Sequence, residues 1–313
     1  NLNNGFGGST DTFVTKFSAD LTSVKWSTFI GGGGVDKAVA VALDPNANIY
    51  IAGETTSTDF PNKGNFILER PGAVDAFFAK LSSIGDKLLA SSYIGGRDDD
   101  RATDIAVDNA GLAVVVGETF SENFKVEQPD KSTKPEANNS DGFIVKFNTS
   151  GANATYSSYF GGNENDRING VAVDPSGNSI YITGETEGTL YKTYPVPPGG
   201  PGPQPTPYDA APNGGKDCFV ARMSPAGLFN NPNVHFITYI GGTTSSRIGD
   251  GEDVGRVIVP LSNGEIVVVG QTTGNLFATG VAGQHRGAVD LFILKLNQNG
   301  RSLVSAAYLG GSG

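Results

Sequence analysis

The sequence has few of the residues that build disulfides, metal centres and most catalytic sites. Its 313 residues include one cysteine, one methionine, one tryptophan and two histidines. A single cysteine, Cys218, cannot form an internal disulfide or a cysteine-rich metal site. We expect it to be a buried filler residue in a strand. His235 lies in a predicted strand and His285 in a predicted loop, and neither has a catalytic partner that the sequence identifies.

Long apolar runs and positive charge are also scarce. No apolar run approaches the length of about 18 residues that a membrane-spanning helix needs, so we expect no insertion into a membrane. With 22 basic and 32 acidic residues the net charge is −10, which argues against a nucleic-acid partner. The motifs of serine hydrolases, phosphate loops, dinucleotide sites and zinc proteases are absent, so we expect no cofactor and regard an enzymatic function as the minority interpretation.

What the sequence does contain is a repeat, which decides the fold before any local feature does. An Asp-x-Phe motif occurs five times, beginning at Asp11, Asp75, Asp141, Asp217 and Asp290. Each copy is followed by an aromatic residue, an apolar residue and a glycine pair, and the pairs begin at Gly31, Gly95, Gly161, Gly241 and Gly310. Between them lie a run rich in Ala and Val and a second run that ends in Gly-Glu-Thr, or in Gly-Gln-Thr in the fourth unit.

Each unit therefore has four short runs of β-branched and aromatic residues, bounded by turn residues. Four-stranded units of this kind bury their faces by stacking radially, so the predicted fold is an all-β β-propeller of four-stranded antiparallel blades. We place the Ala/Val run innermost, because the small residues Ala42, Ala106 and Ala172 suit a crowded axis and only Ile258 departs from them. The Gly-Glu-Thr, Asp-x-Phe and glycine-pair strands follow outward.

The repeat also predicts the domain organisation. The units run approximately over 11–74, 75–140, 141–216, 217–289 and 290–313, the last being partial. The chain opens with two outer strands whose inner partners are missing, which gives four complete blades and one half blade. We expect residues 1–313 to form a single propeller domain that is a segment of a longer chain, with five to seven blades in the full ring.

The motifs resemble those of the bacterial SBBP β-propeller repeat family. The resemblance rests on Asp-x-Phe-x-x-Lys, Tyr-Ile-Gly-Gly, Ile-Ala-Val-Asp and the Gly-Glu-Thr-x-Ser-x-x-Phe-Pro stretch from Gly53 to Pro61. It implies a seven-bladed propeller in a secreted or surface-attached bacterial protein, often beside adhesion modules and without an assigned activity. Pro260 in place of the aspartate, Gln271 in place of the glutamate and an insertion before Asp217 depart from the pattern.

One acidic residue recurs eight positions before the residue that closes each Ala/Val run. These residues are Asp36, Asp100, Asp166 and Glu252. They could form a carboxylate ring that binds Ca²⁺ at the mouth of a central channel. The favoured interpretation is that each accepts backbone N–H bonds in the turn that enters the strand.

Other polar residues recur with the blade, and we interpret them as contacts between neighbouring sheets. They are Glu54, Glu118 and Glu185, and Lys16, Lys80, Lys146, Arg222 and Lys295. Two segments break the symmetry. The proline-rich stretch from Tyr194 to Pro212 is predicted to be an extended loop, either a partner-binding element or, preferably, a tolerated insertion. The stretch from Phe120 to Ser140 is predicted to be a mobile loop.

The sequence favours a non-catalytic, extracellular or cell-surface propeller that binds protein or glycan through its inter-strand loops. Other domains of a longer chain, or neighbouring subunits, are further possible partners. One alternative is a carbohydrate-active or hydrolytic propeller with acids at the channel mouth. Another is a subunit of a surface filament or layer, in which open blade edges are completed by another chain.

Overall fold

We describe the protein from a computed structural model. The described residues are 7–64, 73–134, 138–174, 177–190, 208–209, 212, 215–224, 235–241, 251–276, 282 and 285–312. Eighteen strands and no helix lie in these ranges. The described ranges therefore contain no helix that is long and apolar enough to cross a bilayer.

The strands form one two-stranded sheet and four four-stranded sheets, each paired in chain order. The half blade consists of β1 (Thr12–Phe17) and β2 (Val24–Ile30). Blade 1 consists of β3 (Asp36–Leu43), β4 (Ile49–Thr55), β5 (Asp75–Leu81) and β6 (Leu88–Ile94). Blade 2 consists of β7 (Asp100–Val107), β8 (Ala113–Thr119), β9 (Asp141–Phe147) and β10 (Ala154–Phe160).

The remaining sheets repeat the plan. Blade 3 consists of β11 (Asp166–Val173), β12 (Ile180–Thr186), β13 (Asp217–Met223) and β14 (Phe236–Ile240). Blade 4 consists of β15 (Asp253–Pro260), β16 (Ile266–Thr272), β17 (Asp290–Leu296) and β18 (Leu303–Leu309). The predicted all-β propeller repeat, with four complete blades, one half blade and this strand order, is confirmed.

The chain divides into two compact units, Asn1–Asn138 with Phe143–Tyr159, and Asn139–Gly142 with Phe160–Gly313. In the first unit the opening strands of consecutive blades, β3 and β7, lie side by side, and in the second unit β11 and β15 do the same. Consecutive blades therefore stack through their first strands within each unit. The single domain over 1–313 stays a prediction.

Both faces of blade 1 are apolar because each meets a neighbouring sheet. In the first unit Ile30 of the half blade packs in one cluster with Ile51 and Phe77 of blade 1. The other face of blade 1 contributes Phe78, whose ring stacks on Phe147 of blade 2 at 4.3 Å between centroids. In the second unit the facing strands of blades 3 and 4 share a further cluster. Burial of these large side chains supplies most of the stabilisation of the stack.

The turn between the first two strands is held by the aspartate that the sequence predicts there. Asp44 accepts hydrogen bonds from the backbone N–H groups of Asn46 and Asn48, both at 2.9 Å. Asp108 does the same in blade 2. The left-handed position of this turn is glycine in blades 2, 3 and 4, but in blade 1 it is Ala47, with φ of 60°.

Candidate functional site

Three of the four acidic residues singled out from the sequence take equivalent places. Asp36, Asp100 and Asp166 are each the first residue of the first strand of a blade, and each is buried. Glu252 does not share this place, because β15 begins one residue later, at Asp253. Asp253 is also buried.

The register of blade 4 explains the displacement. Asp253 lies opposite Thr272, as the first-strand acids of the other blades lie opposite the threonine that ends their second strand. Counting eight residues back from Pro260 gives Glu252, but Pro260 is still paired in the strand. Leu261 is the residue that replaces the turn aspartate, since its N–H begins the hairpin turn. The acid of blade 4 is therefore Asp253, and Leu261 rather than Pro260 marks the departure from the repeat.

The same shift changes the comparison of small residues in the first strands. Ala42 lies opposite Tyr50, and the residue at that register position in blade 4 is Val259, opposite Val267. Ile258, which the sequence suggested as the exception among the alanines, lies one position earlier. The exception is therefore Val259.

In blade 1 the acid holds the turn that enters its strand. Asp36 Oδ2 accepts a hydrogen bond from the backbone N–H of Gly32 at 2.8 Å. It also accepts one from Ser57 Oγ at 2.7 Å, and the hydroxyl of Thr55 donates to Oδ1. The carboxylate thus links the glycine pair of the half blade to the end of the second strand of blade 1.

Blade 2 repeats this arrangement, and blade 3 repeats its glycine N–H bond, although the hydroxyl of Thr186 there donates to the carbonyl of Gly188. Asp100 Oδ2 accepts from the N–H of Gly96 at 2.6 Å and from Ser121 Oγ at 2.8 Å. Asp166 Oδ2 accepts from the N–H of Gly162 at 2.5 Å. These are the backbone N–H bonds predicted for a turn-holding role.

A backbone hydrogen bond accompanies each of these acids. The N–H groups of Asp36, Asp100, Asp166 and Asp253 donate to the carbonyl oxygens of Thr10, Val74, Ser140 and Lys216, at 2.7, 2.8, 2.9 and 2.8 Å respectively. Each acceptor directly precedes the Asp-x-Phe strand of the preceding sheet. We call the acid, its glycine pair and this backbone bond the blade junction.

A second carboxyl group lies at the junction of blades 1 and 2. A side chain added at Gly95 would overlap Asp100 and would lie 2.6 Å from Asp75 Oδ1, so two buried carboxyl groups flank this glycine. Burial raises the pKa of Asp100 to about 7, and hydrogen bonds from Thr119 and Ser121 only partly oppose the rise. Desolvation favours the neutral carboxylic acid here, because an ionised group has no water to solvate it.

The acids at the junctions do not form a metal cluster. Within the described ranges no group of three or more His, Cys, Asp and Glu side chains is close enough to hold a metal ion. The junction acids are instead occupied by hydrogen bonds from backbone and hydroxyl groups of the protein. Binding of Ca²⁺ by Asp36, Asp100, Asp166 and Glu252 stays a prediction that the geometry does not favour.

Of the five recurring cations, Lys16, Lys80 and Arg222 contact the next sheet, as the sequence predicted, whereas Lys295 pairs with Glu265 of its own blade at 3.0 Å. Lys16 Nζ donates to the carbonyl of Ser83 at 3.4 Å, Lys80 Nζ to that of Thr149 at 2.7 Å, and Arg222 to that of Gln298 at 3.2 Å. In each case the acceptor lies in the outer hairpin of the next blade. Lys80 Nζ also lies 4.7 Å from the centre of the Tyr50 ring.

The recurring glutamates face cations of their own blade, across its first two strands, and not cations of a neighbouring sheet as the sequence predicted. The opposed pairs are Lys37 with Glu54, Arg101 with Glu118, and Arg167 with Glu185. Opposite charges at directly facing positions stabilise a strand pair. In blade 4 the equivalent residues, Val254 and Gln271, are both neutral, so the cation and the glutamate are replaced together.

The tyrosine before each glycine pair has a role that the sequence reading missed. Tyr93 Oη donates to the carbonyl of Ser57 at 2.7 Å and accepts from the N–H of Phe60 at 2.9 Å. Tyr159, Tyr239 and Tyr308 likewise accept from the N–H of Phe124, Leu190 and Leu276. The half blade has Phe29 at this position. The sequence signal for the role was that all four complete blades have tyrosine, which has a hydroxyl group, where the half blade has phenylalanine.

The loop fixed by this tyrosine then runs along the outer edge of its blade. In blade 2, Lys131 bonds to Ser158 and Tyr159, and Glu127 pairs with Ser157 of the last strand. Residues 120–134 of the segment predicted to be a mobile loop are therefore hydrogen-bonded to the sheet, because an outer strand exposes unpaired backbone groups that a loop can cover. In blade 3 Asp209 makes equivalent bonds to the outer strand, while most of the proline-rich stretch lies outside the described residues.

The cysteine and the two histidines, Cys218, His235 and His285, lie where we find no catalytic arrangement among the described residues. Cys218 is fully buried, and burial raises the pKa of its thiol well above the ordinary range, as expected for a filler residue. His235 directly precedes β14, and burial, together with the nearby Arg222, lowers its pKa. His285 lies in a loop, 3.9 Å from Asp290.

Two segments of the chain, residues 25–61 and 155–192, match the family model described as SBBP, beta-propeller repeat. Each match covers the last strand of one sheet and the first two strands of the next. It therefore includes a complete glycine pair and first-strand acid. No curated protein matches the chain.

Proposed function

We propose that the chain, two segments of which match the SBBP β-propeller repeat, is a non-catalytic scaffold located outside the cell or at the cell surface. In this role it binds a protein or a glycan through the loops between its strands. A bacterial origin and a place beside adhesion modules are part of the same proposal.

The observation that carries the proposal is the use of the recurring polar groups inside the blades. The junction acids accept hydrogen bonds from glycine N–H groups, the tyrosines hold loops, and the cations reach carbonyl groups of the next blade. Residues committed to such bonds are not free to bind a ligand. Variation between blades is concentrated in the loops, which are the parts of a rigid framework that usually carry recognition.

The same observation favours a scaffold over a hydrolase. Hydrolysis by paired acids needs two carboxyl groups in different surroundings, one ionised and one protonated, and both within reach of substrate. Asp36, Asp100 and Asp166 are instead all buried, and each accepts a hydrogen bond from the N–H of a glycine.

The proposal is tested with the purified full chain on a glycan array and on immobilised extracellular proteins. We expect saturable binding to one of these classes and no release of smaller products from the bound ligand. Replacing residues 194–207 with a short Gly-Ser linker should weaken that binding, and a chain in which the same residues are scrambled is the composition-matched control. Turnover of a bound glycan, or binding to neither class, would contradict the proposal.

A further inference from the structure

The segment that follows the second strand of blade 2 covers the outer edge of that blade. We call residues 120–134 the strap. Ser157 N–H of β10 donates to the carbonyl of Glu127 at 2.8 Å, and Glu127 N–H donates back to the carbonyl of Ser157 at 3.1 Å. Tyr159 N–H donates to the carbonyl of Lys131 at 3.2 Å. These bonds occupy backbone groups that an outer strand otherwise presents to solvent.

An acidic side chain lies in the strap, against the sheet. Asp130 is half-buried, and its Oδ2 accepts a hydrogen bond from the hydroxyl of Tyr156 at 2.9 Å. Tyr156 belongs to β10 and is 2% exposed. The closed strap therefore removes the carboxyl group of Asp130 from part of the water that would solvate a carboxylate in an open loop.

This pair of side chains is specific to blade 2. Tyr156 lies three residues before Tyr159, the tyrosine that holds the loop. The residues at the same position in blades 1, 3 and 4 are Ala90, Phe236 and Ser305. Because no other complete blade has a tyrosine there, the contact with Asp130 is not a requirement of the repeat.

Burial changes the protonation of Asp130. It raises the pKa of this carboxyl group from an ordinary 3.8 to about 6, and the hydrogen bond from Tyr156 only partly opposes the rise. Tyr156 is the titratable group that faces Asp130 from β10, whereas Lys146 of the neighbouring strand β9 interacts with Asp108. The other charged residues of the strap are Glu122, Lys125, Glu127, Lys131 and Lys134.

The sign of the pH effect follows from this direction. The closed strap binds the proton of Asp130 more tightly than an open strap does, because the open strap leaves the carboxylate in water. Closure is therefore most stable below about pH 4, and this stabilisation is lost as the pH rises through about 6.

The backbone of the closed strap is strained beside this acid. Gln128 has a left-handed φ of 49°, which is unfavourable for a residue with a side chain. The following residue is Pro129, and a residue before proline favours an extended backbone. The contacts of the strap hold this conformation in place, so weakening one contact favours release.

We propose that the strap is a pH-sensitive cover, closed over the outer strand of blade 2 in acid and released as the pH rises toward neutrality, with Asp130 as the titrating group. Ionisation of Asp130 places a charge in the partly dry space beside Tyr156. Release removes that charge to water and uncovers the backbone groups of Ser157 and Tyr159. The inference goes beyond the proposed function and does not depend on it.

Native-state amide hydrogen exchange of the full chain, followed by NMR between pH 4 and pH 7, measures the opening of the strap. After correction for intrinsic exchange rates, we expect the protection of the Ser157 and Tyr159 amides to fall by at least about fivefold. The two pKa values allow at most about 100-fold. The internal control is Lys63 of blade 1, whose N–H donates to the carbonyl of Ser91 at 3.0 Å and should keep its protection.

The variant Asp130→Asn isolates the titrating group. The amide oxygen still accepts from Tyr156 and the amide does not ionise, so the protection of the two reporter amides should stay constant over this range. Glu127→Gln is the matched control, because this acid of the same strap is exposed, and it should keep the pH dependence of the parent protein.

Three results would overturn the proposal. The first is equal protection of the two reporter amides at pH 4 and pH 7 in the parent protein. The second is a loss of protection with rising pH in Asp130→Asn that matches the loss in the parent protein. The third is an equal loss at Lys63, which would show that the effect belongs to the whole molecule and not to the strap.

Discussion

The junction between blades 1 and 2 makes stability depend on the protonation of one buried acid. Burial raises the pKa of Asp100 from an ordinary 3.8 to about 7 in the folded protein. The folded state therefore binds this proton more tightly than the unfolded chain does. The associated stabilisation is complete below about pH 4 and is lost as the pH rises toward 7. The difference between the two pKa values corresponds to about 4 kcal/mol.

The substitution Asp100→Asn isolates this effect. The amide oxygen can still accept from Gly96 and Ser121, and the amide group cannot ionise. We expect the free energy of unfolding of the variant, relative to that of the parent protein, to rise by up to about 4 kcal/mol between pH 4 and pH 8. Urea denaturation at a series of pH values, followed by the fluorescence of Trp26, measures the difference.

The exposed acid of the same blade, Glu122, provides the control. Glu122→Gln should give a difference from the parent protein that is nearly constant over this range. The hypothesis of a neutral buried acid would be refuted if the free energy of unfolding of Asp100→Asn, relative to that of the parent protein, stayed constant or fell as the pH rises. Ser121→Ala provides a second test, because loss of a hydrogen bond to the carboxyl group should raise the pKa of Asp100 further.

Two further predictions concern single residues of blade 1. Ala47 has a left-handed φ of 60° where the next blade has Gly111, so Ala47→Gly should stabilise the protein by about 0.5–1 kcal/mol in thermal unfolding, and Gly111→Ala should destabilise it. A loss of stability in Ala47→Gly would contradict the strain argument. Tyr93→Phe removes the buried hydroxyl that bonds to Ser57 and Phe60. It should lower the free energy of unfolding, measured by urea denaturation, by about 2–4 kcal/mol. An unchanged denaturation midpoint would show that these bonds do not stabilise the loop.

The repeat was readable from the sequence because each strand type has its own residue pattern. The phenylalanine of the third strand and the glycine of the second face each other, and this contact fixes both residues at a constant position in every blade. The register of β15 was not readable, since it depends on where the paired strand ends. Pro260 occupies the last paired position, and the turn residue after it is Leu261, which gives no signal.

The sequence predicted which acidic residues form the candidate site, but it did not predict most of the groups that hydrogen-bond to them. The positions of Asp36 and Asp100 followed from the repeat, but the serine donors Ser57 and Ser121 did not. A serine two residues beyond the second strand lies in a loop in sequence terms, and only folding brings its hydroxyl to the carboxyl group. The tyrosine hydroxyl was missed for the same reason, since its partners lie more than 30 residues away.

The loop that covers the outer strand is attached at two separate points, one near its start and one near its end. In blade 1 these are Phe60 and Lys63, whereas in blade 3 they are Leu190 and Asp209. Because the sheet fixes both attachment points, the number of residues between them can change without disturbing any strand. The architecture thus gives every blade a tolerant insertion point through which evolution, or a protein engineer, can add new sequence while the surrounding sheet stays intact.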